Sequence, residues 1–365
     1  MRRYHEPMIE IVISGERGPT DVVVECGCLA RLGDGLDQRG VQRPSLAVTN
    51  STVAPLHGRF ATETVGAPPP YVLPDGEIYK RWDQVAVLVE EWLEAGLHRG
   101  DSVLAVGGGV VTDTVGFAAA VYLRGIQWLA VPTTLLAMVD ASVGGKTGIN
   151  LEVGKNLVGA FWAPRMVAVD PETLATLPAR ELRAGLAEVV KAAWIADHDM
   201  LGLLEGPVES YGSLSSAGWE ELIARAIGIK AGVVEADERE AGARKALNLG
   251  HTLGHGLEAV TDYRRFLHGE AVGWGMLAAT RLARRRALLS EESALRLGRA
   301  IAVLGVLPPI DDLDVGQVLQ AIARDKKRDD RGVGWVLPTD GGVVLDQRVS
   351  ADELREVLTE LHEKA

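Results

Sequence analysis

Three of the eight histidines of this chain lie within residues 244–270, RKALNLGHTLGHGLEAVTDYRRFLHGE, together with Asn248 and three acidic residues. His251 and His255 are spaced i,i+4, so on a helix both imidazoles leave one face. His268 follows in a second cluster, His-Gly-Glu, after an apparent loop at 261–265. Two histidines and a third on a separate segment, with one carboxylate from elsewhere, make a donor set for a divalent metal. Spacing alone nominates His251 and His255 as the ligand pair. The plainer alternative is a helix whose histidines are solvated or capped.

A second chemistry is written around Gly107, Gly108 and Gly109, which end the apolar run 102–106 and precede a helical pattern at 113–121. Strand, glycine turn and helix together expose backbone N–H groups and a positive helix end to an anion. The run lacks the G-x-G-x-x-G spacing, so a tight packing turn is the competing reading. Thr133 and Thr134 close the next apolar run and add hydroxyls at the same carboxyl edge, where open α/β sheets bind ligands. The polar stretch 139–156, VDASVGGKTGINLEVGKN, reads as a loop in which Lys146, Lys155 and Asn156 offer donors to phosphate or hydroxyl groups. Asp140 stands where a phosphate-binding P-loop needs its first glycine, which disfavours an NTPase. Lys230 interrupts an otherwise apolar helical register, and Glu188 and Lys191 are three apart on another.

These residues need elements to hold them. Runs at 8–14 and 21–25 read as a strand hairpin, and Cys26 and Cys28, which would share a face on a strand, read as buried thiols. Further strands are expected at 45–48, 71–73, 102–106 and 127–131, and helices at 29–38, 52–65, 79–95 and 113–121. The alternation predicts an α/β domain with a mainly parallel, Rossmann-like sheet. From about 177 the pattern turns helical, with helices at 179–194, 219–237, 270–288, 291–304, 315–323 and 351–364 and a small hairpin at 333–336 and 342–345. Pro178 marks the expected boundary between an N-terminal domain, 1–178, and a mostly α-helical domain, 179–365.

With 365 residues, 47% hydrophobic content and 42 glycines, the chain can build two ordinary globular domains. A formal charge of −12 argues against nonspecific binding to nucleic acid or anionic membrane, though local lysines can still receive a phosphorylated small molecule. Two cysteines are too few for a disulfide scaffold or a cysteine zinc site. The start of the chain has no long apolar run, and no stretch is long enough to span a bilayer. A cytoplasmic location is the expectation.

Eight segments, in order, carry a resemblance. They are DGEIYK at 75–80, GGGVVTDTVGFAAAVYLRG at 107–125, VPTTLLAMVDASVGGKTGIN at 131–150, GKNLVGAF at 154–161, RAGLAEVVK at 183–191, LNLGHTLGH at 247–255, HGEAV at 268–272 and RDKK at 324–327. Together they resemble the 3-dehydroquinate synthase family of sugar-phosphate cyclases. The resemblance implies an N-terminal NAD-binding domain, a C-terminal helical metal domain and a homodimer. It implies Glu188, His251 and His268 as ligands of zinc (or cobalt), which moves His255 from ligand to substrate contact. For NAD it implies Asn50, Asp75, Glu77, Lys80, Gly107, Gly108, Gly109, Val110, Val111, Asp113, Thr133, Thr134, Asp140, Lys146, Lys155, Thr173 and Thr176. For the substrate it implies Lys146, Asn156, Lys191, Lys230, Arg244, Asn248, His255 and Lys326, with Arg124 reaching in from a partner subunit. Leu253 and the Gly273-Trp274 pair depart from the usual pattern as packing changes.

The implied reaction takes 3-deoxy-arabino-heptulosonate 7-phosphate to 3-dehydroquinate and phosphate. Transient oxidation at C5 by NAD, aided by the metal, acidifies the neighbouring C–H. Phosphate then leaves, the hydride returns, and the ring opens and closes by an aldol step. Lys146, Lys191, Lys230, Lys326 and Arg244 balance the substrate's carboxylate and phosphate. Two rivals stand beside this reading: another cyclase such as 2-epi-5-epi-valiolone synthase, or a metal-dependent alcohol or glycerol dehydrogenase that releases NADH.

Overall fold

A computed structural model describes residues 8–152, 154–204, 208, 210–324, 328, 329 and 332–362. The strands are β1 Ile9–Ile13, β2 Thr20–Val24, β3 Leu46–Asn50, β4 Tyr71–Leu73, β5 Ser102–Gly107, β6 Gln127–Pro132, β7 Lys146–Leu151, β8 Gly154–Phe161, β9 Met166–Val169, β10 Arg328–Asp329, β11 Gly332–Thr339 and β12 Gly342–Val349. The helices are α1 Leu32–Gln38, α2 Arg59–Val65, α3 Trp82–Glu94, α4 Gly109–Val121, α5 Ala179–Ala196, α6 Ser216–Ala236, α7 His251–Val260, α8 His268–Arg285, α9 Glu291–Ala302, α10 Val315–Arg324 and α11 Ala351–His362. The chain groups into two compact units, Met1–Pro178 with Ser210–Glu238, and Ala179–Glu209 with Arg239–Ala365. Where the sequence suggests one crossing near 178, the chain also crosses before 210 and after 238.

The first unit is built on a seven-stranded sheet in the order β1-β2-β9-β6-β5-β3-β4. All neighbours are parallel except the β1–β2 hairpin. Every residue of β5 and of β9 is buried, as expected of strands covered on both faces, where an apolar run replaces alternation. Helix α6 belongs here, packed against β1, β2 and the Ala137–Ala141 turn, and its acidic residues accept hydrogen bonds from the β1–β2 region. Glu235 accepts from the Ser14 amide at 2.6 Å, and Glu220 from the Cys26 amide at 2.6 Å.

Several local expectations are corrected. The stretch expected as a polar loop at 139–156 is a π-helical turn, Ala137–Ala141, followed by the antiparallel hairpin β7–β8. Gly148 and Gly159 are register partners across the two strands, and neither leaves room for a side chain. A Cβ on Gly159 would lie 2.1 Å from the Thr147 carbonyl oxygen. Strand β9 was not anticipated, because four apolar residues are too short a signal. The helix expected at 52–65 opens with a π-helical turn at Ala54–Gly58 around Pro55, since proline cannot supply an interior amide. The helix expected from 79 starts at Trp82 after a 3-10 turn, and the one expected from 113 starts at Gly109. Beyond strand β2, which ends at Val24, the two thiols expected to be buried differ: Cys28 opens a 3-10 turn and is buried, whereas Cys26 is half-buried.

The second unit packs α5, α7 and α8 closely, with the hairpin β11–β12 and helices α9, α10 and α11 around them. Small residues make the close approach possible. A Cβ on Gly269 would lie 1.8 Å from the Ala184 carbonyl oxygen, and one on Gly275 would lie 1.7 Å from the Gly250 oxygen. Gly254 meets the backbone of Ala271 in the same way, at 3.2 Å. Gly250 also carries φ +82°, a left-handed cap that ends the preceding turn and starts α7 at His251. Among the described residues, no helix is long and apolar enough to cross a membrane.

Candidate functional site

In the first unit the sheet reverses its winding between β3 and β5. The chain leaves β3 for the β4 edge but leaves β5 for β6 on the other side. A crevice therefore opens beyond the carboxyl ends of β3 and β5, the general ligand position of open α/β sheets. Asn50 is the last residue of β3 and Gly107 the last of β5. Gly108 caps α4 with extended backbone and Gly109 begins it, so the first amides of a 13-residue helix face this edge. The cradle leaves no room for side chains on the first two glycines: a Cβ would stand 2.7 Å from Val111 at Gly107 and 3.0 Å from Thr134 at Gly108. Val110 and Val111 form the first turn of α4, with Val111 buried beneath Gly107. The Thr133 amide donates to the Gly107 carbonyl at 3.0 Å, tying the end of β6 to the same edge.

Around the crevice a polar network is already organised. Asn50 Nδ2 donates to Asp75 Oδ1 and Thr52 Oγ1 to Asp75 Oδ2, both at 2.6 Å, so the carboxylate is fixed at the end of β3. Lys80 is buried and donates to Asp113 at 2.5 Å and to Asn156 Oδ1 at 2.6 Å. Burial opposes that ammonium, but Asp113 and Glu77 outweigh it and raise its pKa. Asn150 donates to Glu77 at 2.7 Å and accepts from the Asn156 amide at 2.9 Å, with Lys155 4.0 Å from Glu77. Lys146 is exposed at the start of β7. Thr173 and Thr176 sit on the 3-10 turn Pro171–Thr176, and Thr176 hydrogen-bonds His57 at 2.7 Å. Lys230 on α6 is buried and donates to both the Oδ1 and the backbone oxygen of Asp140, at 2.5 and 2.6 Å. Arg124 is exposed, and Leu123 and Arg124 both carry positive φ, 47° and 67°. Thr52 and Asn150 were missed by the sequence reading; a hydroxyl and an amide in turns carry no periodic signal.

The second unit brings a different set together. Glu188 on α5, His251 at the start of α7 and His268 at the start of α8 each offer one ligand atom, all within 4.8 Å of one another. The Nε2 atoms of His251 and His268 each stand 3.6 Å from Glu188 Oε1. Glu188 is 2% exposed, and neither of its oxygens has a hydrogen-bond donor of regular geometry. Its charge partner is the equally buried ammonium of Lys191, one turn on. Burial opposes the Glu188 charge, but Lys191 and His268 outweigh it and hold the carboxyl at about 2. For His268, burial again opposes the charge, while Glu258 and Glu188 lift the imidazole to about 10 in the metal-free chain. A buried anion with two convergent imidazole nitrogens fits Zn²⁺ or Co²⁺ in residue type and number, and three protein donors leave positions for water or substrate.

His255 lies beside this group without joining it, its ring 5.5 Å from His251 and 6.2 Å from His268. Arg244 is 2% exposed, and Asn248 at the end of the same 3-10 turn donates to Glu240 at 2.7 Å. Arg180 clamps Glu270 through two bonds, at 2.7 and 2.8 Å, while Glu270 accepts from the Leu267 amide at 2.8 Å, so the turn before His268 is pinned to α5. Glu240, Glu258 and Arg180 did not emerge from the sequence, because nothing in their spacing links them to the histidines. Lys326 lies outside the described residues.

Family comparisons match this layout. A family model described as 3-dehydroquinate synthase N-terminal matches residues 70–184, and one described as 3-dehydroquinate synthase C-terminal matches residues 185–328. A 3-dehydroquinate synthase of Rippkaea orientalis is 39% identical over 346 residues, covering 93% of this chain and 94% of the relative. One from Azotobacter vinelandii is 46% identical over 302 residues, covering 80% and 82%. Among solved structures, the 2-epi-5-epi-valiolone synthase of Streptomyces hygroscopicus subsp. jinggangensis, with NAD+ and Zn2+ bound, superposes with TM-score 0.85 at 31% identity over 95% of this chain and 97% of that one.

Proposed function

The chain belongs to the 3-dehydroquinate synthase family, and on that premise we propose how its residues divide the reaction. It is a phosphate-eliminating cyclase, a carbon–oxygen lyase that converts 3-deoxy-D-arabino-heptulosonate 7-phosphate to 3-dehydroquinate and phosphate. NAD and a divalent ion, when bound, supply a hydride acceptor that is restored each turnover and a Lewis acid for the C5 hydroxyl.

Asn50 and Asp75 hold ribose hydroxyls at the β3 end, and the Gly107, Gly108 and Gly109 amides take the pyrophosphate. Val110, Val111, Thr133 and Thr134 line the crevice beside them. Glu77, Lys80, Asp113, Asp140, Lys155, Thr173 and Thr176 complete the dinucleotide's surroundings, Lys80 chiefly by keeping Asp113 and Asn156 in place. Glu188, His251 and His268 hold the ion, zinc in the first instance. Lys146, Asn156, Lys191, Lys230, Arg244, Asn248, His255 and Lys326 contact the substrate. Their cations meet its carboxylate and phosphate, since a buried unpaired anion costs several kcal/mol (roughly 3–5 when one partner of a buried pair is missing). Arg124 serves the neighbouring subunit of a cytoplasmic homodimer.

The observation that supports this division most directly is the buried Glu188 carboxylate with two imidazole nitrogens converging on it. The test is phosphate release from the heptulosonate phosphate, with catalytic NAD, before and after chelation. Release that needs the ion and is restored by Zn²⁺ is expected, and release indifferent to a chelator would remove the metal assignment. A second reading, cyclisation of a sugar phosphate without a carboxylate, is favoured by the fold likeness to the valiolone synthase. Weighing against it, Lys230 and Arg244 place two buried cations in the chain, the charge that a buried substrate carboxylate requires.

A further inference from the structure

The two histidines of the metal group are backed differently. Each turns Nε2 toward Glu188, so each presents Nδ1 to the protein behind it. Behind His251, Nδ1 lies 3.2 Å from the Leu249 carbonyl oxygen, a neutral acceptor two residues away in the chain. Behind His268, Nδ1 lies 3.4 Å from Glu258 Oε2, a full carboxylate. Glu258 is 2% exposed, on α7, two turns after His251 and on the same face. A carboxylate that deep in a protein is costly unless something answers its charge.

We infer that Glu258 is a positioning residue for the metal centre: it fixes the tautomer of His268 with the proton on Nδ1 and makes that imidazole the stronger donor of the two. An imidazole has one lone pair for a metal only on the nitrogen without a proton. A carboxylate at Nδ1 attracts the proton there, turns Nε2 toward the ion and pushes electron density onto the ring. It also aims the ring, because Glu258 on α7 holds one nitrogen of a side chain carried by α8 while the other nitrogen faces Glu188 on α5, 3.6 Å away. The glycine contacts that bring α7 and α8 together therefore deliver the outer carboxylate as well as the ligand. This inference rests on the metal assignment above and adds a residue that no motif of the chain suggested.

The rival role for Glu258 is a plain staple between α7 and α8, which would affect stability and leave the ion's affinity alone. Zinc affinity, measured by competition with a chromophoric chelator, separates the two. Glu258→Gln keeps size and an acceptor but removes the charge, and is expected to weaken Zn²⁺ binding about 10- to 100-fold. The d–d absorption of the Co²⁺-loaded protein should shift with it, and Glu258→Asp, which keeps the charge on a shorter arm, should recover part of the affinity. Affinity within twofold of the unaltered protein, with an unchanged cobalt spectrum, would overturn the inference even if the melting temperature falls. Where Glu258→Gln does not fold, ¹⁵N NMR of the unaltered zinc-loaded protein decides: the proton of His268 on Nδ1 supports the assignment, and the proton on Nε2 overturns it. An unaltered protein that takes up no zinc at all would instead remove the metal reading beneath it, a failure distinct from zinc bound equally well with and without Glu258.

Discussion

His251 and His255 share a helix face, yet the compact group of ligand atoms contains Glu188, His251 and His268. The difference predicts separable phenotypes. Glu188→Ala, His251→Ala or His268→Ala should leave the purified protein without tightly bound zinc, whereas His255→Ala should stay loaded and lose turnover. Elemental analysis checks this, and a metal-free His255→Ala beside a fully loaded His268→Ala would reverse the assignment. Protonation offers a second check on the same residues. His268 rises from an ordinary 6.5 to about 10 in the metal-free chain, so its ionic contribution to stability is complete below pH 6.5. That contribution is lost as pH climbs through 10. Metal binding needs the neutral imidazole. Zinc uptake at pH 8 should therefore release about one proton from this residue, read by calorimetry in buffers of different ionisation enthalpy, and the release should vanish in His268→Ala. Proton release unaltered by that substitution would contradict the placement of the charge.

At the scale of elements, three helices reach the metal group only because glycines let their backbones touch. Gly269→Ala and Gly275→Ala each put a methyl within 2 Å of a carbonyl oxygen, at 1.8 and 1.7 Å. Relief requires α8 to move away from α5 or from the turn before α7. Overpacking of this kind costs roughly 1–3 kcal/mol or more, and here it also spreads the ligands. Both variants are expected to melt several degrees lower and to bind zinc more weakly. Gly298 makes the control: it lies within α9 and a Cβ there meets nothing within 4 Å. Gly298→Ala should raise stability by roughly 0.5–1 kcal/mol, since alanine loses less backbone freedom in a helix. Denaturation midpoints of the three variants test the idea, and equal destabilisation across all of them would refute the contact argument.

For the whole molecule, the relevant question is what leaves the enzyme. A cyclase that returns its hydride needs NAD only in catalytic amount, so no NADH absorbance should accumulate while phosphate is released. Absorbance growing in proportion to product would move the chain toward the alcohol dehydrogenases. Substrate choice follows from the fixed cations. The heptulosonate phosphate should be preferred to sedoheptulose 7-phosphate by at least ~100-fold in kcat/KM, about the value of one charge-assisted contact. Lys230→Met should shrink that ratio mainly by harming the carboxylate substrate. Equal or better turnover of sedoheptulose 7-phosphate by the unaltered protein would sink the dehydroquinate assignment.

The α/β character of the first half and the helical character of the second were legible in the sequence, because apolar period and glycine punctuation are local properties of the chain. So was the glycine cradle after β5, as a strand, a turn and a helix in immediate succession. The eight ordered segments were enough to place the chain in its family. Apart from what the family resemblance implied, which residues meet was decided by the tertiary structure. Glu188 is 63 positions before His251 and 80 before His268, and their convergence depends on helix crossings that no local pattern reports. The same holds for α6, whose helical pattern is plain but whose grouping with the first unit reflects its packing against β1, β2 and the Ala137–Ala141 turn, with two of its carboxylates accepting hydrogen bonds from amides beside β1 and β2. The hairpin β7–β8 was misread for the converse reason: glycines that allow close strand contact look, one residue at a time, like a loop. Glu258 was invisible for the plainest reason, since an acidic residue on a helix is ordinarily solvated, and only packing buries this one behind a histidine.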